Sequence, residues 1–456
     1  MAESIPDSNS DPTLGSTTSP SNSSMENLSL SVQNLSLTTQ STVSDQGSAS
    51  SDSNILALPR TLYDHQEPEH PWLWNSVPAP VPSGIWVGES AGSVSVANSS
   101  RPQDVLMCLQ KNLETYLGSL SRVDFINLAT NAEGSWKLQN MLKKRCKEIT
   151  SEVFNRVMDA SSGGILLLFI LMIDRYGAHV IDKLLEQCSY QQLVLIADRI
   201  TLNQHLFVTL SCDRFASNSI KKLIQAVKTS PPLVSMVINC LCVGFYEVMA
   251  DKIGNHVVFH CLNHLDVRAN APLYEAAIKH CLDLAVHWQG CITLNNLIER
   301  IQDSYRQRLL EVISNNAAFL SQDPKGNFVI QKVLDLKNPA LTLKIASLLR
   351  GHYAALSLQK GGSHVVEKCL NSMWMELVVE DLVGNTNRLV QIAKDRYGNF
   401  VFQTALNVTK QANSPLYKML LEPLLANPSA LRTGYGRNIM KSIVGQNSAN
   451  EGHHIM

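Results

Sequence analysis

The sequence has no run apolar enough to cross a membrane: its longest, Ile165 to Ile173, has nine residues, where a span needs about 20. That run reads as a turn of buried helix. The ten cysteines form no CxxC pair and no CxxC…HxxxH spacing, which argues against a structural zinc site or a redox dithiol and leaves most of them as buried thiols. There is no Gly-rich phosphate loop, GxSxG elbow, HExxH or paired-carboxylate pattern, so the chain is not expected to be an enzyme, and no catalytic residue, metal ligand or cofactor is assigned. The N-terminus, MAESIPDSNSDPT, lacks the basic and apolar regions of a secretory signal. The sequons at Asn22, Asn27, Asn34 and Asn98 are therefore expected to stay unmodified in an intracellular protein.

What is present is unevenly distributed. The net charge is −1, but the first 119 residues carry 3 Lys/Arg against 12 Asp/Glu, and the remainder 35 against 27. A moderately basic rear segment suits a polyanionic partner. Residues 1 to about 55 are Ser-, Thr- and Asn-rich with almost no aromatics, a composition that cannot bury enough apolar surface to offset ordering entropy. Residues 56 to 100 add Pro and several Trp (HPWLWNSVPAPVPSGIWVG) and read as an irregular linker. Together, 1–100 is expected to be a disordered segment.

From about Gln103 the texture turns helical, with Val105, Leu106, Leu109, Leu113 and Leu117 spaced at helical intervals. Self-alignment then finds a repeat. The segments DRYGAHVIDKLL, DRFASNSIKKLI, DKIGNHVVFHCL, HWQGCITLNNLI, DPKGNFVIQKVL, QKGGSHVVEKCL and DRYGNFVFQTAL follow a weaker GSWKLQNML and precede TGYGRNIMKSIV. Let a be the residue after the Gly. It falls at 135, 178, 217, 255, 291, 327, 363, 399 and 437, so five consecutive units are spaced by 36. The Asp of D-x-x-G (Asp174, Asp251, Asp323, Asp395) is placed to cap a helix N-terminus. The apolar a+2, a+3, a+6 and a+7 point into a core, while a, a+1 and a+4 lie at about 0°, 100° and 40° around the helix and share another face. A second amphipathic helix, such as Leu193 to Leu202, completes each unit, and such pairs must stack to bury their apolar faces.

The triplets at a, a+1 and a+4 are Ser135/Trp136/Gln139, Ala178/His179/Asp182, Ser217/Asn218/Lys221, Asn255/His256/Phe259, Cys291/Ile292/Asn295, Asn327/Phe328/Gln331, Ser363/His364/Glu367 and Asn399/Phe400/Gln403. Arg437/Asn438/Lys441 reads as an end cap. The regular copies set a flat ring at a+1 between hydrogen-bonding groups, the composition that stacks on an unpaired base and reads its edge. The amide pairs Asn399/Gln403 and Asn327/Gln331 suit uracil, and the Glu367 carboxylate suits the two adjacent N–H groups of guanine, with Ser363 as a small companion. Lys360, Arg396 and Arg175, in the turns before these helices, are candidates for phosphate contact or for stacking between bases.

The motifs GNFVIQ, GSHVVE and GNFVFQ at a spacing of 36 resemble the Pumilio (PUF) family of RNA-binding proteins over about residues 101–450. The resemblance implies an all-α, right-handed superhelical solenoid of eight repeats with capping half-repeats, each repeat reading one base of RNA that runs antiparallel to the protein. It implies 5′-UGU for the three C-terminal repeats. Asn295 departs from the family's Cys/Gln adenine pair, so Cys291, Ile292 and Asn295 only lean toward A; Asn255 and His256 sit in a unit that has lost one amide to Phe259, and Ser135/Trp136/Gln139 is adenine-like. The expected site is 5′-UGU(A)NNN(A), in mRNA 3′ untranslated regions. The resemblance further implies a cytoplasmic monomer, with the nucleus left open, that regulates translation and mRNA stability through other proteins. An α-solenoid scaffold for protein–protein interaction is the alternative.

Overall fold

The computed structural model describes residues 102–159, 167–384, 386–426, 428–432, 434–440 and 443. The expected disordered segment 1–100 and Lys441 of the end cap lie outside them. The described residues from 110 onward belong to one compact unit, and 102–109, at the start of helix Pro102–Ser119, fall in a second. Among the described residues there are helices and no strand.

Eight helices carry the triplets: Ala132–Lys143, Gly177–Leu185, Ala216–Val227, Asn255–His264, Gly290–Arg300, Gly326–Asp335, Lys360–Leu370 and Gly398–Gln411. Successive reading helices pack on one another except Asn255–His264 and Gly290–Arg300, which are joined through Phe245–Ala250 and Val267–Val286, and the architecture is an α-solenoid. Most begin as the turn chemistry dictates, Lys360–Leu370 after Gln359 being without a side-chain cap. Asp174 Oδ1 accepts from the backbone N–H groups of Tyr176 (2.9 Å) and Gly177 (2.7 Å); Asp213, Asp251, Asp323 and Asp395 repeat the pattern. In the fifth repeat His287 takes the place of Asp, its Nδ1 lying 3.1 Å from the Gly290 N–H. The glycine is needed for closeness. A Cβ at Gly398 would lie 2.6 Å from the Ile392 carbonyl, and one at Gly177 2.8 Å from that of Leu171.

The inward faces are those expected: Val329, Ile330, Val333 and Leu334 are buried, as are Val401, Phe402, Ala405 and Leu406. Each large aliphatic or aromatic side chain so buried contributes about 1.5–3 kcal/mol. Opposite them run outer helices, among them Asp303–Asn315, and Tyr190–Thr201, Pro231–Val243 and Pro339–Leu348, the last three started by a Ser189 capping box, by Asn338 and by Pro residues in the first turn.

The repeat differs from the expected helix pair in having a third, short helix leading into most turns. Examples are Leu167–Ile173, Gln204–Cys212, Phe245–Ala250, Ala317–Gln322 and Tyr353–Ser357. Local breakers create it: Asn203 caps one, Gly244 interrupts another, and Gly351 turns the chain at φ 80° before a third. In the fifth repeat no such break falls before the turn, and Val267–Val286 runs on as one helix of 20 residues with Pro272 inside it. The apolar run noted in the sequence falls on Leu167–Ile173, most of it buried. No helix among the described residues is long and apolar enough to cross a membrane.

Candidate nucleic-acid interface

Along the reading helices the three triplet positions sit at three depths. The a+1 residues Trp136, His179, Asn218, His256, Ile292, Phe328, His364 and Phe400 are all exposed, with Phe328 at 52% and Phe400 at 55%. Large apolar rings held half in water at one register position do not serve the core, whose contacts are made two and three residues later. They are available for stacking.

The a residues depart from the shared outward face read from the sequence. Ser135, Asn255, Cys291, Asn327, Ser363 and Asn399 are all buried. The cause is the turn itself, since a is the first residue past the glycine and lies against the preceding carbonyls. Asn327 Nδ2 donates to Asp323 O at 2.9 Å, and Asn399 Nδ2 donates to both Asp395 O and Arg396 O at 2.9 Å. Their free ends meet a+4: Gln331 Nε2 donates to Asn327 Oδ1 at 2.9 Å, and Gln403 Nε2 to Asn399 Oδ1 at 3.1 Å. In the first repeat Gln139 donates to Ser135 Oγ at 3.1 Å. In these three repeats position a is thus an anchor that fixes a half-buried a+4 group beside the exposed ring.

The a+4 residues then differ in chemistry. Burial pushes the Glu367 carboxyl above its ordinary range, against the opposing effects of His364, whose Nδ1 lies 3.6 Å from Glu367 Oε1, and of a hydrogen bond from Thr404 in the next repeat. Asn295 donates weakly to Phe328 O at 3.4 Å, and its buried Oδ1 has no partner. Phe259 is buried beneath the Arg300 guanidinium, 4.7 Å from its ring centroid, so the fourth repeat presents no edge-reading group at a+4. In the second repeat Asp182 accepts from Ser219 Oγ at 2.6 Å; burial raises its carboxyl while the same burial lowers Lys221. Asp182 and Lys221 also attract each other, so neighbouring a+4 groups in these two repeats are engaged across the repeat boundary.

Beside the rings runs a cationic edge. The residue three before a is Arg175, Arg214, Lys252, Lys360 and Arg396 in five repeats. Three of these arginines fold over the ring that follows them: Arg175 over Tyr176 at 5.4 Å, Arg214 over Phe215 at 5.6 Å and Arg396 over Tyr397 at 4.6 Å. A row of stacking rings flanked by amides on one side and fixed cations on the other matches the bases and backbone of a single strand.

Comparison with known proteins agrees. The Pumilio-family RNA binding repeat matches residues 169–201, 207–229, 244–275, 280–314, 316–346, 352–373 and 388–412. Pumilio homolog 18 of Arabidopsis thaliana is 33% identical over 275 residues, which cover 60% of this chain and 83% of that protein. The chain belongs to the Pumilio family. Pumilio homolog 12 of the same plant is 33% identical over 320 residues, 69% of this chain and 52% of its own length; the chain spans about half the length of the first relatives it matches. Among solved structures, the Puf4 RNA binding domain bound to HO endonuclease RNA 3′ UTR recognition sequence superposes with a TM-score of 0.56 at 27% identity, covering 69% of this chain and 97% of that one. The yeast Puf5p RNA-binding domain, at 20% identity and a TM-score of 0.56, shares the fold.

Seven Pumilio repeats are matched where eight reading helices are present. The remaining one, Ala132–Lys143, has the same local geometry: Asn131 caps Gly134 at 2.7 Å, Ser135 is buried and Trp136 exposed. Sequence reasoning missed the cross-repeat partners Ser219, Arg300 and Thr404, whose signal is that each falls opposite an a+4 group one repeat earlier. It also missed an ion-pair ladder on the same helices. Glu186 pairs with Lys222 at 2.7 Å, Glu299 with Lys332 and Asp335 with Lys368, in each case a+8 of one repeat with a+5 of the next. Being exposed, each contributes at most about 1 kcal/mol, but together they reinforce the register between repeats.

Proposed function

We propose that this Pumilio-family chain is a sequence-specific single-stranded RNA-binding protein that recognises UGU-containing elements in mRNA 3′ untranslated regions and, in the cytoplasm, regulates translation and mRNA stability. The observation that carries this reading is the pairing, in the first, sixth and eighth repeats, of an exposed a+1 ring with a hydrogen-bonding group anchored beside it, as in Phe400 with Gln403 on Asn399. The Puf4 domain, which shares the fold at 27% identity, is itself bound to a 3′ UTR recognition sequence.

The chemistry of the three C-terminal repeats favours UGU. With both Asn399 Nδ2 hydrogens on backbone carbonyls, the pair with Gln403 offers the Asn Oδ1 as an acceptor and the Gln amide as a donor. Uracil complements this with N3–H beside a carbonyl. Asn327 with Gln331 offers the same acceptor and donor, with Asn327 Nδ2 held on the Asp323 carbonyl alone. Glu367, half-buried between His364 and Thr404, is an acceptor-only group when ionised, suited to the paired N–H donors of guanine. Asn295, Phe259, Lys221 and Asp182 offer no repeated pattern, which supports a UGU(A)NNN(A) site with a degenerate middle. A filter-binding comparison of a UGU-containing oligomer with its UGU→ACA counterpart tests this; equal affinities would overturn it.

A further inference from the structure

We propose that Trp288 is a stacking surface for an unpaired nucleobase lying outside the register of the eight triplets, at the joint between the fourth and fifth repeats; the proposal rests on the RNA-binding reading above. Trp288 occupies the place in the fifth repeat that Arg175, Arg214, Lys252, Lys360 and Arg396 occupy in others, three residues before a. It stands in the turn that leads into Gly290–Arg300, on the edge held elsewhere by the cations and four residues before the exposed Ile292.

Three features of the joint point to a base there. The indole is 50% exposed and Lys252 reaches it from the fourth repeat, its Nζ 4.8 Å from the ring centroid, so a flat apolar surface sits beside a fixed positive charge. That combination suits a base attached to a phosphate. Next, Ile292, 51% exposed, supplies no ring at a+1 in this repeat, while His256 and Phe328 supply one on either side. The ring stands instead on the cationic edge, three residues before a. Finally, of the successive reading helices, Asn255–His264 and Gly290–Arg300 approach each other least closely and are joined instead through Phe245–Ala250 and Val267–Val286. A wider step along the protein leaves room for a base that no triplet reads.

The Trp288 backbone is held in place for this. Its carbonyl accepts from Cys291 Sγ at 3.4 Å, and the neighbouring His287 caps Gly290.

The test uses the full chain and a fluorescent UGU-containing oligomer, together with versions in which each of the fourth, fifth and sixth nucleotides in turn is abasic. Wild-type protein is expected to bind one abasic version about 5- to 150-fold more weakly than the intact oligomer. Trp288→Ala should lose the same factor on the intact oligomer and be insensitive to that abasic site, with Trp288→Phe restoring most of it and thermal melts unchanged. Full affinity of Trp288→Ala for the intact oligomer, or an equal loss whichever nucleotide is abasic, would overturn the assignment. Failure of the wild-type chain to prefer UGU over ACA would instead strike the underlying reading and be seen before any variant is made.

Discussion

Gln403 hands its side-chain amide to Asn399, Nε2 to Oδ1 at 3.1 Å, and Asn399 is in turn bolted to the Asp395 and Arg396 carbonyls. The two residues act as one device in which the buried member sets the angle of the half-buried one. Replacing them together, Asn399→Ser with Gln403→Glu, reproduces the Ser363/Glu367 pair of the preceding repeat, where Ser363 Oγ donates to the Lys360 carbonyl at 3.1 Å. The first-base preference is then expected to move from U to G. Enrichment from a randomised oligonucleotide pool reads the change, and an unaltered first base would remove this repeat from the recognition site.

Glu367 ties recognition to pH. Burial raises its pKa, so as pH falls the carboxylate is protonated earlier than an ordinary one and ceases to be a pure acceptor. For an acid, a raised folded-state pKa favours the neutral form in the fold, so acidification through that range does not cost stability at this residue; it costs guanine binding. Affinity for the UGU oligomer is expected to fall as pH is lowered toward that raised pKa, and Glu367→Gln should weaken binding at neutral pH by about 1–3 kcal/mol while flattening that part of the profile. Parallel wild-type and variant pH profiles would contradict the assignment.

These two sites also mark what the sequence could and could not disclose. The spacing of 36, the capping Asp and the inward Val329/Ile330 pattern were legible because periodicity and capping are local, and they were enough for the solenoid. The triplet residues were legible as types. Their depth was not: angles around a helix place Asn327 and Phe328 on one side, but the close turn at Gly326 buries the first and leaves the second exposed. Cross-repeat contacts such as Thr404 on Glu367 or Arg300 on Phe259 depend on how neighbouring helices are set, which no single repeat encodes.

His260 and His264 stack at 4.0 Å between ring centroids on the fourth reading helix, and burial together with the charge of His264 and nearby Lys221 holds His260 down to about 4. Its Nε2 is buried without a partner. The unfolded chain takes up this proton near 6.5 and the folded chain only near 4, so stability present above pH 6.5 is lost progressively as pH falls between those values. His260→Asn is expected to shrink the drop in melting temperature between pH 7 and pH 5. An unchanged drop would place the acid sensitivity elsewhere.

Two glycines a few dozen residues apart should fail in different ways. A Cβ on Gly398 meets backbone, the Ile392 carbonyl at 2.6 Å, which cannot retreat without moving the helix before the turn; Gly398→Ala should cost about 1–3 kcal/mol of stability. A Cβ on Gly361 meets instead the Asn327 side chain of the preceding repeat, 2.4 Å from Nδ2. That amide can swing away, and a helical Gly→Ala change otherwise favours the helix by about 1 kcal/mol. The fold should therefore survive Gly361→Ala. What is lost is the Asn327 anchor, and with it the hydrogen bond that aims Gln331. Gly361→Ala is expected to melt close to the wild-type temperature yet bind UGU several-fold more weakly, with the loss confined to the third base in an oligomer series. A variant that unfolds early, or that binds every oligomer normally, would show that the close approach of Gly361 to Asn327 has no part in recognition.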